Sequence, residues 1–206
     1  MQHAAKVAKR NDEVRPVLKG AYHSPAGHIY VTDTHVAYRL LDGSIEGEEY
    51  TIDFEGNLLE DQYPNIARTF EGTEDQCVAE ELITDVKIVA QVLKNLLVIE
   101  KKLAKNTTDF ALTRIYLQRE TGIQLTSSVP QDSDFQYKYV LADARDSLAL
   151  ADEEAHLRLE YLSDAFAMFA AAKKDSLTLK FIGKHRPILL EADDLTAMIL
   201  PVRVYK

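Results

Sequence analysis

The side chains that could do chemistry in this chain are its histidines, its paired acids, its one cysteine and its lysine rows. His23, His28 and His35 lie close together, which raises the question of a metal. Strands separated by a turn need not make their side chains converge, and no carboxylate stands at ligand spacing, so zinc geometry is not met. Asp12-Glu13, Glu153-Glu154 and Asp193-Asp194 are adjacent acids; neighbours on a strand point to opposite faces, so these pairs read as solvated surface. Cys77 has no nucleophile motif around it. No phosphate-cradling glycine loop, nucleophile elbow or His-Glu-x-x-His motif occurs. No catalytic residue, metal or cofactor is expected.

The lysines say more. Lys87, Lys94 and Lys101 recur at seven-residue spacing, two helical turns, and so project from nearly one face. Lys105 extends that row. Near the start, His3, Lys6 and Arg10 share a face, with Lys9 beside it. Such a surface suits phosphate contact without base reading. An amphipathic helix also puts lysines on its solvated side, and the spacing leaves both readings open.

The elements that must position these residues follow from patterning. The chain has 206 residues, with 24 lysines and arginines against 33 acids and a net charge of −9. That length makes one large domain or two small ones. Its charge argues against nucleic-acid binding by bulk charge, so where the basic residues sit matters more than how many there are. One cysteine excludes an intramolecular disulfide and fits a reducing compartment. The start carries no apolar signal core, and the run Leu96-Leu97-Val98-Ile99 falls far short of the roughly 18 residues that cross a bilayer. A cytoplasmic protein without a membrane partner is expected.

Residues 1–10 read as a short helix. Ser24-Pro25-Ala26-Gly27 is a type I turn signature inside a three-strand meander over 14–41. The acidic, glycine-bearing stretch 42–76 holds one short strand at 50–54. A boundary falls near residue 72, giving units 1–72 and 73–206. Residues 82–105 show the clearest helical spacing, with lysines in the last turn where they suit the helix dipole. Strands are expected at 110–118, 123–127, 137–144 and 155–159, a second strong helix over 161–172, and a closing meander at 177–182, 188–191 and 195–204. A helix followed by strands recurs from residues 1, 82 and 161, an internal repeat. The fold class is α+β, with helices on one face of antiparallel sheets.

Specific strings sharpen this. Tyr161-Leu162-Ser163-Asp164-Ala165-Phe166, Leu177-Thr178-Leu179, Arg186-Pro187-Ile188-Leu189-Leu190 and Met198-Ile199-Leu200-Pro201-Val202-Arg203-Val204 resemble the end of the bacterial DNA polymerase III beta subunit, the sliding clamp. Thr32-Asp33-Thr34-His35-Val36-Ala37 resembles the TDGHRLA turn of its middle domain. Asp61-Gln62-Tyr63-Pro64-Asn65-Ile66-Ala67-Arg68 resembles the FPDYRR element leading into the last domain. The three strings occur in the family's order, with Thr34 in place of the motif glycine and Val36 in place of its arginine.

The resemblance implies clamp-like repeats, a half-domain over 1–72 and a domain over 73–206. It implies a non-enzymatic processivity factor of phage type, acidic overall but basic on its inner helices. Such a protein encircles double-stranded DNA as a homo-oligomeric ring and serves a DNA polymerase or other replication proteins. Partner peptides would dock in a hydrophobic pocket of Thr32, Thr34, His35, Val36, Pro64, Thr69, Leu200, Pro201, Val202 and Arg203. The DNA-facing residues would be Lys6, Lys9, Arg10, Lys87, Lys94, Lys101 and Lys105. Three helices per chain would need four chains to match a twelve-helix ring. The alternative is a clamp-fold module that forms no ring and captures replication-protein peptides as an inhibitor or adaptor.

Overall fold

The computed structural model describes residues 2–11, 15–45, 47–74, 76–77, 79–103, 112–118, 122–127, 137–142 and 153–203. Helices α1 (Gln2–Ala8), α2 (Ala67–Glu74), α3 (Val86–Leu103) and α4 (Leu159–Ala171) are joined with twelve strands. Strands β1 (Gly20–His23), β2 (His28–Thr32), β3 (Val36–Leu41), β4 (Tyr50–Asp53), β5 (Ala79–Thr84), β10 (Ser176–Phe181), β11 (Ile188–Ala192) and β12 (Leu195–Ile199) form one antiparallel sheet in the order β4-β1-β2-β3-β12-β11-β10-β5. Strands β6 (Leu112–Gln118), β7 (Gly122–Ser127), β8 (Lys138–Ala142) and β9 (Glu153–Arg158) form a second, ordered β8-β7-β6-β9.

The larger sheet draws strands from both sides of the boundary expected near residue 72. β3 pairs with β12 from Val36 opposite Ile199 to Leu40 opposite Leu195, so both halves of the chain share one ladder. Alternation along β2 sends Ile29 and Val31 to one face, where they pack with Ala4 and Ala8 of α1. Tyr30 goes to the other face, against Phe70 of α2, Leu189 and Met198. The largest core joins α3 and α4 to both sheets through residues such as Leu93, Phe166, Phe169, Ile83, Leu179 and Leu157. Helices α1 and α4 therefore share one face of the large sheet, and α2 covers the other.

The first helix, its meander, the β6–β7 hairpin and the final meander stand where patterning puts them, and Gly27 N–H closes the expected turn onto Ser24 O at 3.0 Å. Three expectations are corrected. Residues 79–84, partly absorbed into the long helix by the apolar pair Leu82-Ile83, form β5; their burial alternates and they pair along β10. Asp85, at φ 55°, turns the chain so that α3 starts at Val86. The unexpected α2 contains Gly72 and two threonines, poor helix formers, and is held by Phe70, which is wholly buried. The last strand ends at Ile199 rather than running to 204.

Candidate functional site

A cavity of about 170 Å³ opens where the β2–β3 turn, the segment before α2 and the end of β12 meet. The turn is wired by its own side chains. Thr32 Oγ1 donates to Val36 O at 2.7 Å and accepts from Thr34 N at 3.0 Å. Asp33 Oδ1 accepts from the backbone N–H of His35 at 2.9 Å and of Val36 at 2.8 Å. This double acceptance is the Asx-turn device that lets aspartate shape a tight turn. Thr34, at the tip, takes φ 74°, a left-handed conformation that is strained for a β-branched residue. Leu200 N–H donates to His35 O at 2.9 Å, closing the far wall onto the turn. The ridge opposite is Tyr63-Pro64-Asn65-Ile66; Asn65 Oδ1 accepts from Arg68 N–H at 3.2 Å and so caps the start of α2.

The structure brings together seven of the ten residues expected in this pocket: Thr32, Thr34, His35, Val36, Pro64, Thr69 and Leu200. Pro201, Val202 and Arg203 do not line it. Val202 N–H donates to His156 O at 2.7 Å, which draws that segment toward β9. Five lining residues were not anticipated: Arg15, Leu18, Ala37, Ile66 and Met198. Met198 was within reach, because it stands two residues before Leu200 and so on the same face of an extended chain. Leu18 was not, since only packing shows that it is the wholly buried floor.

On the helical face a groove of about 800 Å³ lies between α1, α3 and α4. Lys6, Lys87, Lys94 and Lys101 line it, joined by Lys173 and Lys174 just beyond α4. Its floor is small: Ala167, Ala170 and Ala171 of α4 and Ala90 of α3. Lys6 is paired with Asp164 at 2.8 Å and Lys101 with Glu160 at 3.3 Å. Among the described residues no ion pair engages Lys87 or Lys94. Lys9 is exposed but does not line the groove, and Lys105 lies outside the described residues.

Arg10 stands apart from the expected lysine surface. Its guanidinium reaches Asp33 at 3.1 Å and Glu160 at 3.4 Å, and it is also bound to Asp164. It lies over the Tyr161 ring, 5.4 Å from the centroid. Burial by itself would lower its pKa, but Asp164, Asp33 and Glu160 together raise it. Arg10 is therefore a permanently charged internal tie between the β2–β3 turn and α4, not an outward cation. The histidines also separate: His23 stacks on Tyr50 and His35 on Tyr161, with ring centroids 4.4 and 5.4 Å apart.

This arrangement, three helices on one face of an antiparallel sheet whose halves join edge to edge, is the fold of the DNA polymerase sliding clamps. The beta subunit of DNA polymerase from Streptococcus pyogenes superposes with a TM-score of 0.74 at 15% identity, over 98% of this chain and 63% of that one. The sliding clamp from Bacillus subtilis gives 0.67 at 17%, over 94% and 58%. The DNA polymerase III beta subunit from Borrelia burgdorferi gives 0.71 at 13%, over 100% and 64%. This chain thus spans about three fifths of the length of these clamps. No protein-family model matches the sequence, and no curated protein matches it. Among the described residues no helix is long and apolar enough to cross a membrane.

Proposed function

We propose that the chain is a non-catalytic, sliding-clamp-like processivity factor. It would hold double-stranded DNA along the lysine-lined helical groove and take a partner's extended peptide into the pocket beside the β2–β3 turn. One observation carries this reading: three strings distant in sequence converge on a single apolar pocket, while the lysine row lies on the helical face of the same clamp fold. Lysines over an alanine floor give long-range attraction without base contacts, which suits a surface that must slide. Several copies would close a ring in the cytoplasm. With α1, α3 and α4 on one face, four copies supply the twelve helices of such a ring.

Native mass by light scattering across a concentration series tests assembly, and retention on circular DNA that is lost on linearisation tests encirclement. A discrete trimer or tetramer with that topological retention supports the reading; a persistent monomer removes the ring. The second reading, a peptide-binding module without a ring, is favoured by the pocket itself, whose lining residues all come from this one chain. Both readings require the pocket. Leu200→Asp should weaken binding of an apolar clamp-binding peptide by at least about tenfold, because it puts an unpaired carboxylate into the apolar wall; unchanged affinity in fluorescence anisotropy would exclude both.

A further inference from the structure

Behind the ridge at Pro64 lies a second concavity, of about 740 Å³, on the face of the sheet opposite the lysine groove. Pro64 is a wall of both this groove and the apolar pocket. Its floor is aromatic. Tyr22 stacks on Tyr63 with centroids 5.4 Å apart and on Tyr30 at 6.1 Å. Its rim is acidic: Glu49, Glu60, Asp61 and Glu71 all line it. Glu49 accepts a hydrogen bond from Tyr22 OH at 2.8 Å. Among the described residues no ion pair engages Glu60, Asp61 or Glu71, and all three are exposed. The one guanidinium in the wall, Arg39, is held over the Phe70 ring at 5.0 Å and donates to Thr196 Oγ1 at 3.1 Å.

We infer that this groove is a docking surface for an arginine- and lysine-rich extended segment of a protein partner. Charge complementarity selects the occupant, since four carboxylates face one guanidinium that already has partners within the protein. The tyrosine floor suits the same side chains, because lysine and arginine lay their aliphatic stems on apolar surface while the charged heads reach the rim. The groove runs from the Ser24-Pro25-Ala26 turn to Ala67 at the start of α2, which accommodates a stretch of chain rather than a single ion. The lysine face repels such a segment, so the two faces of the molecule sort partners by opposite charge.

The test uses a labelled nine-residue peptide alternating arginine and serine, with no apolar residue, and fluorescence anisotropy at low and moderate salt. Wild-type protein binds it. The triple variant Glu60→Gln, Asp61→Asn, Glu71→Gln binds about tenfold more weakly, as loss of three complementary rim charges should produce. A control triple, Glu55→Gln, Glu80→Gln, Asp193→Asn, removes the same net charge elsewhere and keeps the wild-type affinity. Leu200→Asp, which spoils the neighbouring pocket, also keeps it, so the groove is judged separately from the pocket. Absence of wild-type binding, equal weakening in the control triple, or loss of binding in Leu200→Asp overturns the proposal. Thermal melts of each variant confirm that the exposed substitutions leave the fold intact.

Discussion

Two units of the molecule follow one plan. Helix α1 leads into β1–β3 and helix α4 into β10–β12, and the last strands of both units pair with each other. Each unit ties a basic residue just past its helix to an aspartate in its last hairpin. In the first, Arg10 meets Asp33, whose side chain is 2% exposed. In the second, Lys174 meets Asp193 at 2.9 Å and Asp194 at 2.7 Å, with those side chains 82% and 47% exposed. The same chemical pairing therefore has two different consequences. A desolvated pair is costly to break singly, because the remaining charge is stranded. An exposed pair is screened by water and contributes little. The buried tie is also the one beside the candidate pocket, so the geometry of the β2–β3 turn depends on Arg10 far more than the β11–β12 turn depends on Lys174.

Breaking the buried tie gives the largest effect. Asp33→Ala removes the acceptor of two backbone N–H groups and leaves Arg10 without one partner. Arg10 keeps Asp164 and Glu160, so the loss comes mainly from the two backbone N–H groups left without an acceptor; about 2–4 kcal/mol is expected in urea unfolding, with weaker peptide binding at the pocket. If Asp33→Ala costs no more than Lys174→Ala, burial does not distinguish the two units.

The third helix–strand unit sharpens the contrast, since its helix carries a buried acid, Glu100, that no basic side chain pairs with among the described residues. Glu100 of α3 accepts from Tyr137 OH at 2.9 Å. Burial pushes its carboxyl up to about 7, against the lowering effect of that hydrogen bond. The folded protein thus holds this proton more tightly than the unfolded chain, where glutamate titrates near about 4.3. The contribution is complete below the unfolded value and is lost as pH rises through about 7. Glu100→Gln keeps an acceptor for Tyr137 and removes the titration. It should stabilise the protein by about 2 kcal/mol at pH 8 and little at pH 4. Unfolding midpoints at the two pH values check this; a gain independent of pH would place the effect elsewhere.

Smaller still is the turn tip. Thr34→Gly removes the left-handed strain at φ 74° and should raise stability by about 1 kcal/mol, read as a higher melting temperature. The smallest change is expected from Lys174→Ala, about 0.5 kcal/mol or less. The Asp194 carboxyl, held below its usual range first by the hydrogen bond from Lys174, should return toward the ordinary value in that variant. NMR titration of Asp194 reads that shift.

Much of the fold was legible because periodicity is local. Val86, Val89 and Leu93 are buried on α3 while Lys87, Lys94 and Lys101 stay exposed, as 3.6-residue spacing requires. The cavity lining was partly legible through the motif strings, which hold Thr32, Thr34, His35, Val36, Pro64 and Leu200, while Thr69 stands one residue past the second string. Its floor was not, because nothing local distinguishes Leu18 from any other buried leucine. Strand β5 was masked by Leu82 and Ile83, which continue the helical pattern of the residues after them; its alternation acquires meaning only against β10.

Sequence alone determined most element types, though not α2 or β5, together with the lysine spacing on α3 and the order of the three strings, all set by the chain's own periodicity and turn chemistry. Tertiary structure decided which charges face outward. Lys87 and Lys94 remain on an open groove, whereas Arg10, alike in charge and only a few residues from Lys6, is drawn inward by Asp33 and Asp164. Those acids stand 23 and 154 residues away along the chain. A charge's partner is set by proximity in space, and only the packing of α1 against β2 and α4 brings these groups within reach.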